Sequence, residues 1–178
     1  MKYLRFISLA LCLLAISSCA LNTTSQDTFY GIEKTEQIWA GIYEGYGNLF
    51  HLPKLVQETT QIPGRVGMRF GFAFKLYPSP SAAKGIVSLT FRTTYPAPGI
   101  INPTTGKMMA FDESTLQCVL GRPCMAGYLM SSAAETKQGE WKLSISFRGK
   151  KIAEQTFVIV PHLQEAQTDL VRTSGTKT

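Results

Sequence analysis

The apolar and polar residues of this chain alternate strictly in two stretches, residues 67–77 and 141–148. Successive side chains of a β-strand point to opposite faces, so a period of two indicates a strand with one buried face. The apolar positions are Met68, Phe70, Phe72, Phe74 and Leu76 in the first stretch and Trp141, Leu143, Ile145 and Phe147 in the second. We expect both sets to lie in the core of the domain.

Further strands are predicted around these two. Residues 37–48 are rich in aromatic and β-branched side chains and contain three glycines, which favours an edge strand with a bulge. Residues 87–92 alternate again, and residues 125–131 form a shorter candidate strand. Each predicted strand is bounded by proline or glycine, as strands of an antiparallel sheet commonly are.

This spacing of strands predicts the fold class. About six to eight strands, with no helical period and no internal repeat, predict an all-β antiparallel sandwich over residues 37–160. Residues 19–36 are polar and are predicted to form a flexible tether before that domain. Residues 161–178 are predicted to form a polar C-terminal tail.

The last predicted strand pair carries a family resemblance. Gly139 and Trp141 open one strand, Gly149 turns the chain, and Phe157 and Ile159 follow as an inward pair. This arrangement resembles the last hairpin of bacterial immunoglobulin-like domains. With residues 65–74, it makes the chain similar to an uncharacterised family of small bacterial envelope domains of unknown function. The resemblance implies an immunoglobulin-like sandwich and no catalytic residue. The chain lacks the widely spaced cysteine pair of antibody domains.

The first 18 residues are typical of an export signal. Lys2 and Arg5 precede an apolar run, residues 6–16, which is too short to span a bilayer as a helix. Two serines and Cys19 follow, and the whole resembles a bacterial lipoprotein signal peptide with its lipobox. The resemblance implies cleavage before Cys19 and a diacylglycerol on its sulfur. An ordinary secretory signal and an uncut membrane anchor are the alternatives.

The predicted anchor implies an address in the cell envelope. In Gram-negative lipoproteins an aspartate after the lipidated cysteine usually signals retention in the inner membrane, and this chain has Ala20. For a Gram-negative source we therefore expect a lipoprotein of the outer membrane that faces the periplasm.

The charge of the chain argues against nucleic acid as a partner. The full chain has 18 basic and 12 acidic residues; without Lys2 and Arg5 the basic residues number 16 and the formal charge is +4. A nucleic-acid-binding protein usually carries a basic stripe or cluster. The densest basic group, residues 148–151, falls in a predicted hairpin turn, so we expect no nucleic-acid partner.

Two cysteines remain in the predicted domain, Cys118 and Cys124. Gly121 and Pro123 favour a bend between them, and an oxidising compartment favours a disulfide. A redox pair or a metal site is the alternative, but the Cys-x-x-Cys spacing is absent and neither histidine is near in sequence.

No motif predicts catalysis. Ser81 and Lys84 match the Ser-x-x-Lys of penicillin-binding enzymes, but the partner motifs of that family are missing. Asp112 and Glu113 are adjacent, so they would face opposite sides of a strand rather than converge on one substrate. We expect a protein that is not an enzyme and needs no cofactor or metal.

The long connection over residues 95–115 is the best candidate for a functional site, because loops at the end of a sandwich are held rigidly by the sheets. A turn at residues 105–107 predicts a small hairpin within it. Its apolar residues, candidates for a partner-binding loop, are Ile100, Ile101, Met108, Met109 and Phe111. They either form a partner surface or cover the end of the sandwich.

These features predict a membrane-anchored, non-enzymatic module that binds another envelope protein. The alternative is a lipoprotein that binds a small molecule or a glycan. That function requires exposed aromatic side chains, for which Tyr43, Tyr46, Tyr77 and Tyr95 are the candidates. A hydrolase is a third class, which would require Asp112 or Glu113 to face another acid across a cleft.

Overall fold

The described residues, 31–80, 85–102 and 104–162, form two β-sheets packed face to face in the computed structural model. The first sheet has four strands in the order β2-β1-β4-β9, and the second has five in the order β3-β11-β10-β5-β8. A two-stranded hairpin, β6-β7, lies at one end. The strands are β1 (Ile32–Glu44), β2 (Lys54–Glu58), β3 (Gln61–Pro63), β4 (Arg69–Pro78), β5 (Ile86–Thr94), β6 (Ile100–Ile101), β7 (Met108–Met109), β8 (Phe111–Val119), β9 (Pro123–Leu129), β10 (Gly139–Phe147) and β11 (Lys150–Val160), with a 3₁₀ turn at Ala133–Thr136.

The two alternating stretches form β4 and β10, one in each sheet, and their apolar faces meet in the core. All of the predicted inward residues are buried except Phe147, which is half-buried at the end of its strand. The ring of Phe70 lies 6.1 Å from that of Trp141 and 5.1 Å from that of Phe157, both edge-on. The predicted sandwich is therefore confirmed, with aromatic rings as its centre.

The start and the position of β1 correct the sequence prediction. The strand begins at Ile32, ahead of the predicted start at residue 37, because residues 34–36 pair with β4. It is an inner strand between β2 and β4 rather than an edge. Its pairing is irregular at Gln37–Trp39 and again at Ile42–Tyr43, so the predicted bulging is present. The part of the predicted tether before residue 31 lies outside the described residues, as do the signal peptide and Cys19.

Two short strands were not predicted and change the topology. β2 pairs with β1 and forms the edge of the first sheet. After Thr59 and Thr60 the chain passes to the other sheet as β3. There β3 pairs in parallel with β11, so the sandwich is not wholly antiparallel. Both strands carry mixed polar sequences, and only a neighbouring strand makes them extended. The main chain therefore closes one side of the sandwich.

The hairpin of β10 and β11 confirms the predicted C-terminal pair. Its turn residues, Arg148 and Gly149, both have positive φ angles, 51° and 77°, which suit the right-handed twist of the strands. Of the basic residues of this region, Arg148 lies in the turn, while Lys150 and Lys151 open β11, where Lys151 donates to Glu154 at 2.8 Å. Beyond it, the side chains of Phe157 and Ile159 are buried as expected.

Cys118 and Cys124 form a disulfide, with sulfur atoms 1.97 Å apart. Cys118 lies on β8 and Cys124 on β9, which are edge strands of the two different sheets. The disulfide predicted from the sequence is therefore confirmed, although the short spacing gave no indication that the bond would connect two sheets. The bond joins the sheets on the side opposite the β2-β3 crossing.

Removal of this bond by the double change Cys118→Ser and Cys124→Ser is expected to lower the free energy of unfolding by about 2 kcal/mol, because six residues of sequence separation define a short closed loop. Urea unfolding of the oxidised protein and of the variant measures the difference. Reduction of the unchanged protein serves as the control and should give a similar loss. Equal stability of all three forms would contradict the expectation.

None of the described residues belongs to a helix long and apolar enough to cross a membrane.

Candidate functional site

The predicted hairpin within residues 95–115 is present as β6 and β7. The backbone N–H of Asn102 donates to Lys107 O at 2.8 Å, and that of Gly106 donates to Asn102 O at 2.9 Å. The side-chain oxygen of Asn102 accepts from the backbone N–H groups of Thr104 and Thr105, both at 2.9 Å. Gly106 takes a positive φ of 66°. The turn is therefore fixed by the asparagine side chain and by a glycine where other residues are disfavoured.

The two faces of this hairpin differ in exposure. Ile100 pairs with Met109 on one face, where Ile100 is buried and Met109 packs partly against the core. Ile101 pairs with Met108, and these side chains are 52% and 55% exposed. The sequence left open whether these residues cover the sandwich or form a partner surface, and the structure divides them between the two. One face covers the end of the sandwich, and the other is an exposed apolar pair.

Phe111 was predicted to lie in the long connection, but β8 begins at this residue, so the connection ends at residue 110 because residues 111–115 pair with β5. The side chain of Phe111 is 47% exposed. The guanidinium of Arg92 lies 4.0 Å from the centre of its ring, and the same group donates to Glu113 at 2.7 Å. These contacts hold the ring in place at the surface. With Ile101 and Met108 it defines what we call the hairpin surface.

The base of the hairpin is held by Lys137, which follows the 3₁₀ turn. Its Nζ donates to Ala97 O at 3.1 Å and to Gly99 O at 2.7 Å. The bond between Ala97 and Pro98 is cis. Gly99 has a φ of 121°, and a Cβ there would collide with the carbonyl oxygen of Met109. The hairpin is thus fixed at both of its strands.

A buried polar network lies beneath this end of the sandwich and was not predicted. The carboxylate of Glu135 accepts from Tyr128 Oη at 2.9 Å, from Ser131 Oγ at 2.6 Å, and from the backbone N–H groups of Ser131 and Ser132. The hydroxyl of Tyr95 lies 3.5 Å from that of Tyr128. A Ser-x-x-Glu spacing, Ser132 to Glu135, is the sequence signal that could have indicated it.

These contacts shift the pKa values of the network. Burial alone would raise the pKa of Glu135, but hydrogen bonds from Ser131 and Tyr128 outweigh it and lower that pKa below its ordinary value. Burial raises the pKa of Tyr128, and its contacts with Tyr95 and Glu135 raise it further. Glu135 is therefore an anion fully occupied by protein donors, which suits a structural role rather than proton transfer.

Asp112 and Glu113 do not face another acid across a cleft among the described residues. Glu113 pairs with Arg92, and Asp112 is exposed beside it on β8. No group of three or more potential metal ligands occurs among the described residues. Ser81 and Lys84 lie outside those residues.

The tyrosines proposed for ligand binding are mostly unsuited to it. Tyr43 and Tyr95 are buried, which is a correction to the sequence analysis. Tyr77 on β4 donates to Glu36 on β1 at 2.6 Å, so its hydroxyl is already paired. Tyr46 is fully accessible, with the guanidinium of Arg69 5.0 Å from its ring centre. Strand period alone could not show which tyrosines face the core.

Comparisons with known proteins place these observations in context. Residues 26–159 match the family described as "Domain of unknown function (DUF3859)". An immunoglobulin-like protein from Pseudomonas aeruginosa has a similar crystal structure, with 22% sequence identity and a TM-score of 0.54. The alignment covers 71% of this chain and 97% of that one, and at this identity the likeness shows the fold alone. None of the curated proteins matches the sequence.

Proposed function

The chain belongs to the DUF3859 family of domains of unknown function, and from its own residues we propose that it is a lipid-anchored, non-enzymatic protein-interaction module of the bacterial cell envelope. Cys19 carries the lipid, the outer membrane holds it, and the domain faces the periplasm. The partner is another envelope protein.

Two features support the address. The leader of residues 1–18 ends in two small residues and is followed by Cys19, an arrangement that resembles a lipobox. The disulfide between β8 and β9 favours an oxidising compartment outside the cytoplasm. A single acyl chain gives only marginal membrane binding, whereas a diacylglycerol supplies two chains and a stable anchor.

The single observation that carries the interaction is the hairpin surface. Ile101, Met108 and Phe111 are each about half exposed at one end of a rigid sandwich. Exposed apolar side chains grouped at one site mark interaction surfaces, and aromatic and methionine side chains are enriched there. The contacts of Lys137 and Asn102 hold this surface in one conformation, which lowers the entropy cost of binding.

In-cell crosslinking followed by mass spectrometry tests the interaction. Ile101→Asp is expected to reduce recovery of a stoichiometric envelope partner at least about tenfold, which corresponds to 1.4 kcal/mol of binding free energy. Ile86→Asp is the matched control, because Ile86 is 50% exposed and lies at the end of β5 opposite the one that pairs with Phe111. Equal recovery from both variants, or no reproducible partner, would count against the proposal.

Labelling of cells with an alkyne-tagged fatty acid tests the anchor separately. The unchanged protein should incorporate the label, and Cys19→Ala should lose it. Persistent labelling of the variant would show that the lipid is elsewhere.

A further inference from the structure

A cleft lies under the loop of residues 45–53, which connects β1 to β2. The loop faces β4, β8 and β9, and the cleft, which is open to solvent on one side, has a volume of about 360 Å³. Pockets for small molecules span roughly 300–1,000 Å³, so this cleft has room for a compact ligand. It uses none of the residues of the hairpin surface.

Gly127, which lines this cleft, is the last of a row of paired glycines. Gly41 pairs with Gly71, and Gly71 pairs with Gly127, so the row crosses β1, β4 and β9. A Cβ on Gly127 would come within 2.6 Å of the Met125 methyl carbon, and one on Gly71 would come within 3.0 Å of it. The methionine side chain therefore lies over Gly71 and Gly127 as an apolar floor, where side chains at these two positions would otherwise fill the space.

The loop that covers the cleft is ordered by its own contacts. The side-chain oxygen of Asn48 accepts from the backbone N–H of Phe50 at 2.8 Å and of His51 at 3.0 Å. The N–H of Asn48 donates to His51 O at 2.9 Å. The ring of Phe50 lies 5.9 Å from the guanidinium of Arg122 in the β8-β9 turn. The cleft thus exists before any ligand enters.

The charge of the cleft is one-sided. Arg69 lines it, half-buried at the start of β4. Its guanidinium lies over the ring of Tyr46 but makes no ion pair or hydrogen bond with another described residue. Among the described lining residues none is acidic, and His51 is the other ionisable one besides the bonded Cys124. The remaining wall combines apolar side chains, Leu52, Pro53 and Leu116, with the uncharged polar residues Asn48 and Gln117. A guanidinium fork in such surroundings suits a carboxylate or a phosphate.

We propose that this cleft binds a small ligand with one anionic group, a carboxylate or a phosphate, attached to a short apolar body. Arg69 receives the anion, while Met125 and the loop contact the apolar body. The anionic ligand forms an ion pair with the Arg69 guanidinium, and a neutral analogue of the same shape does not. The site should therefore bind the anionic ligand more tightly.

Photoaffinity labelling of the full chain in mild detergent tests this proposal. Three eight-carbon diazirine probes would be compared: a carboxylic acid, a phosphate monoester and an alcohol. We expect saturable labelling of residues 47–53 and 123–127 by at least one anionic probe, at least about tenfold tighter than by the alcohol. Whichever anion labels better identifies the source of the charge.

Variants of one strand sharpen the test. Arg69→Gln should weaken labelling at least about tenfold, Arg69→Lys should weaken it less, and Lys75→Gln, which changes another cation of β4, should leave it unchanged. Gly127→Ala should also weaken it, because the added methyl pushes the Met125 side chain into the cleft while Arg69 stays in place. Equal labelling by the alcohol, indifference to Arg69→Gln, or label confined to the hairpin surface would overturn the proposal.

Discussion

Trp141→Ala is expected to lower the free energy of unfolding by roughly 3–5 kcal/mol, the usual loss for a fully buried aromatic side chain. The indole packs edge-on against Tyr95 at 4.9 Å and Tyr128 at 5.2 Å, and it also contacts Phe70. Its N–H donates to Lys137 O at 2.9 Å. The change therefore removes core packing and leaves the partly buried carbonyl of Lys137 without its donor. Most domains have only about 5–15 kcal/mol in total, so we expect a marginally folded protein.

Urea unfolding monitored by circular dichroism measures this loss. Tyr46→Ala is the control, because that ring is exposed and its removal should change stability by no more than about 0.5 kcal/mol. A loss below about 1.5 kcal/mol for Trp141→Ala would show that the cluster is less tightly packed than the ring distances indicate.

Glu135→Ala is expected to lower the free energy of unfolding by about 2–4 kcal/mol at neutral pH, because two backbone donors and two hydroxyls lose their acceptor. Glu135 is only 9% exposed, so water has little access to the donors that lose the carboxylate. Glu113→Gln provides the control, since its exposed ion pair with Arg92 is expected to contribute less than about 1 kcal/mol.

The same residue gives a pH dependence with a definite sign. The pKa of Glu135 is lowered in the folded state, so its contribution to stability is present above the unfolded value of about 4.3 and is lost as the pH falls through the folded value. Unfolding at pH 7 and at pH 3 should show a smaller acid-induced loss in Glu135→Gln than in the unchanged protein. Equal losses would mean that other carboxylates account for the acid sensitivity.

Strands with one continuously buried face were predictable from sequence. In β4 and β10 every second side chain enters the core, so the period survives in the sequence. β2 and β3 have no such face, and their extension depends on neighbours distant in the chain. β1 was assigned to an edge because its glycines weaken a strand in isolation. Two of the glycines in residues 37–48 have other roles. Gly41 pairs with Gly71 of β4, and Gly47, in the loop after β1, lines the cleft.

The candidate site was predicted in outline only. The apolar residues of the hairpin were identified, but each strand has two residues, and the register of the Asn102 turn decides which of Ile100 and Ile101 faces the core. The cysteine pair was predicted from the turn between them, whereas its place between two sheets requires knowledge of which sheet holds each strand. Glu135 was missed because a lone acid in a polar segment has no periodic signal.

The placement of β1 has a mechanical consequence. The strand starts beside Pro78 and reaches the Phe70 end of β4 at Ile42, which is the end that carries the hairpin surface. A pull between the proposed lipid anchor and a partner at that surface would therefore draw β1 along its own axis. Its hydrogen bonds to β2 and β4 would be loaded together in shear rather than opened one after another. We expect this geometry to let the domain carry tension across the periplasm without unravelling from its anchored end.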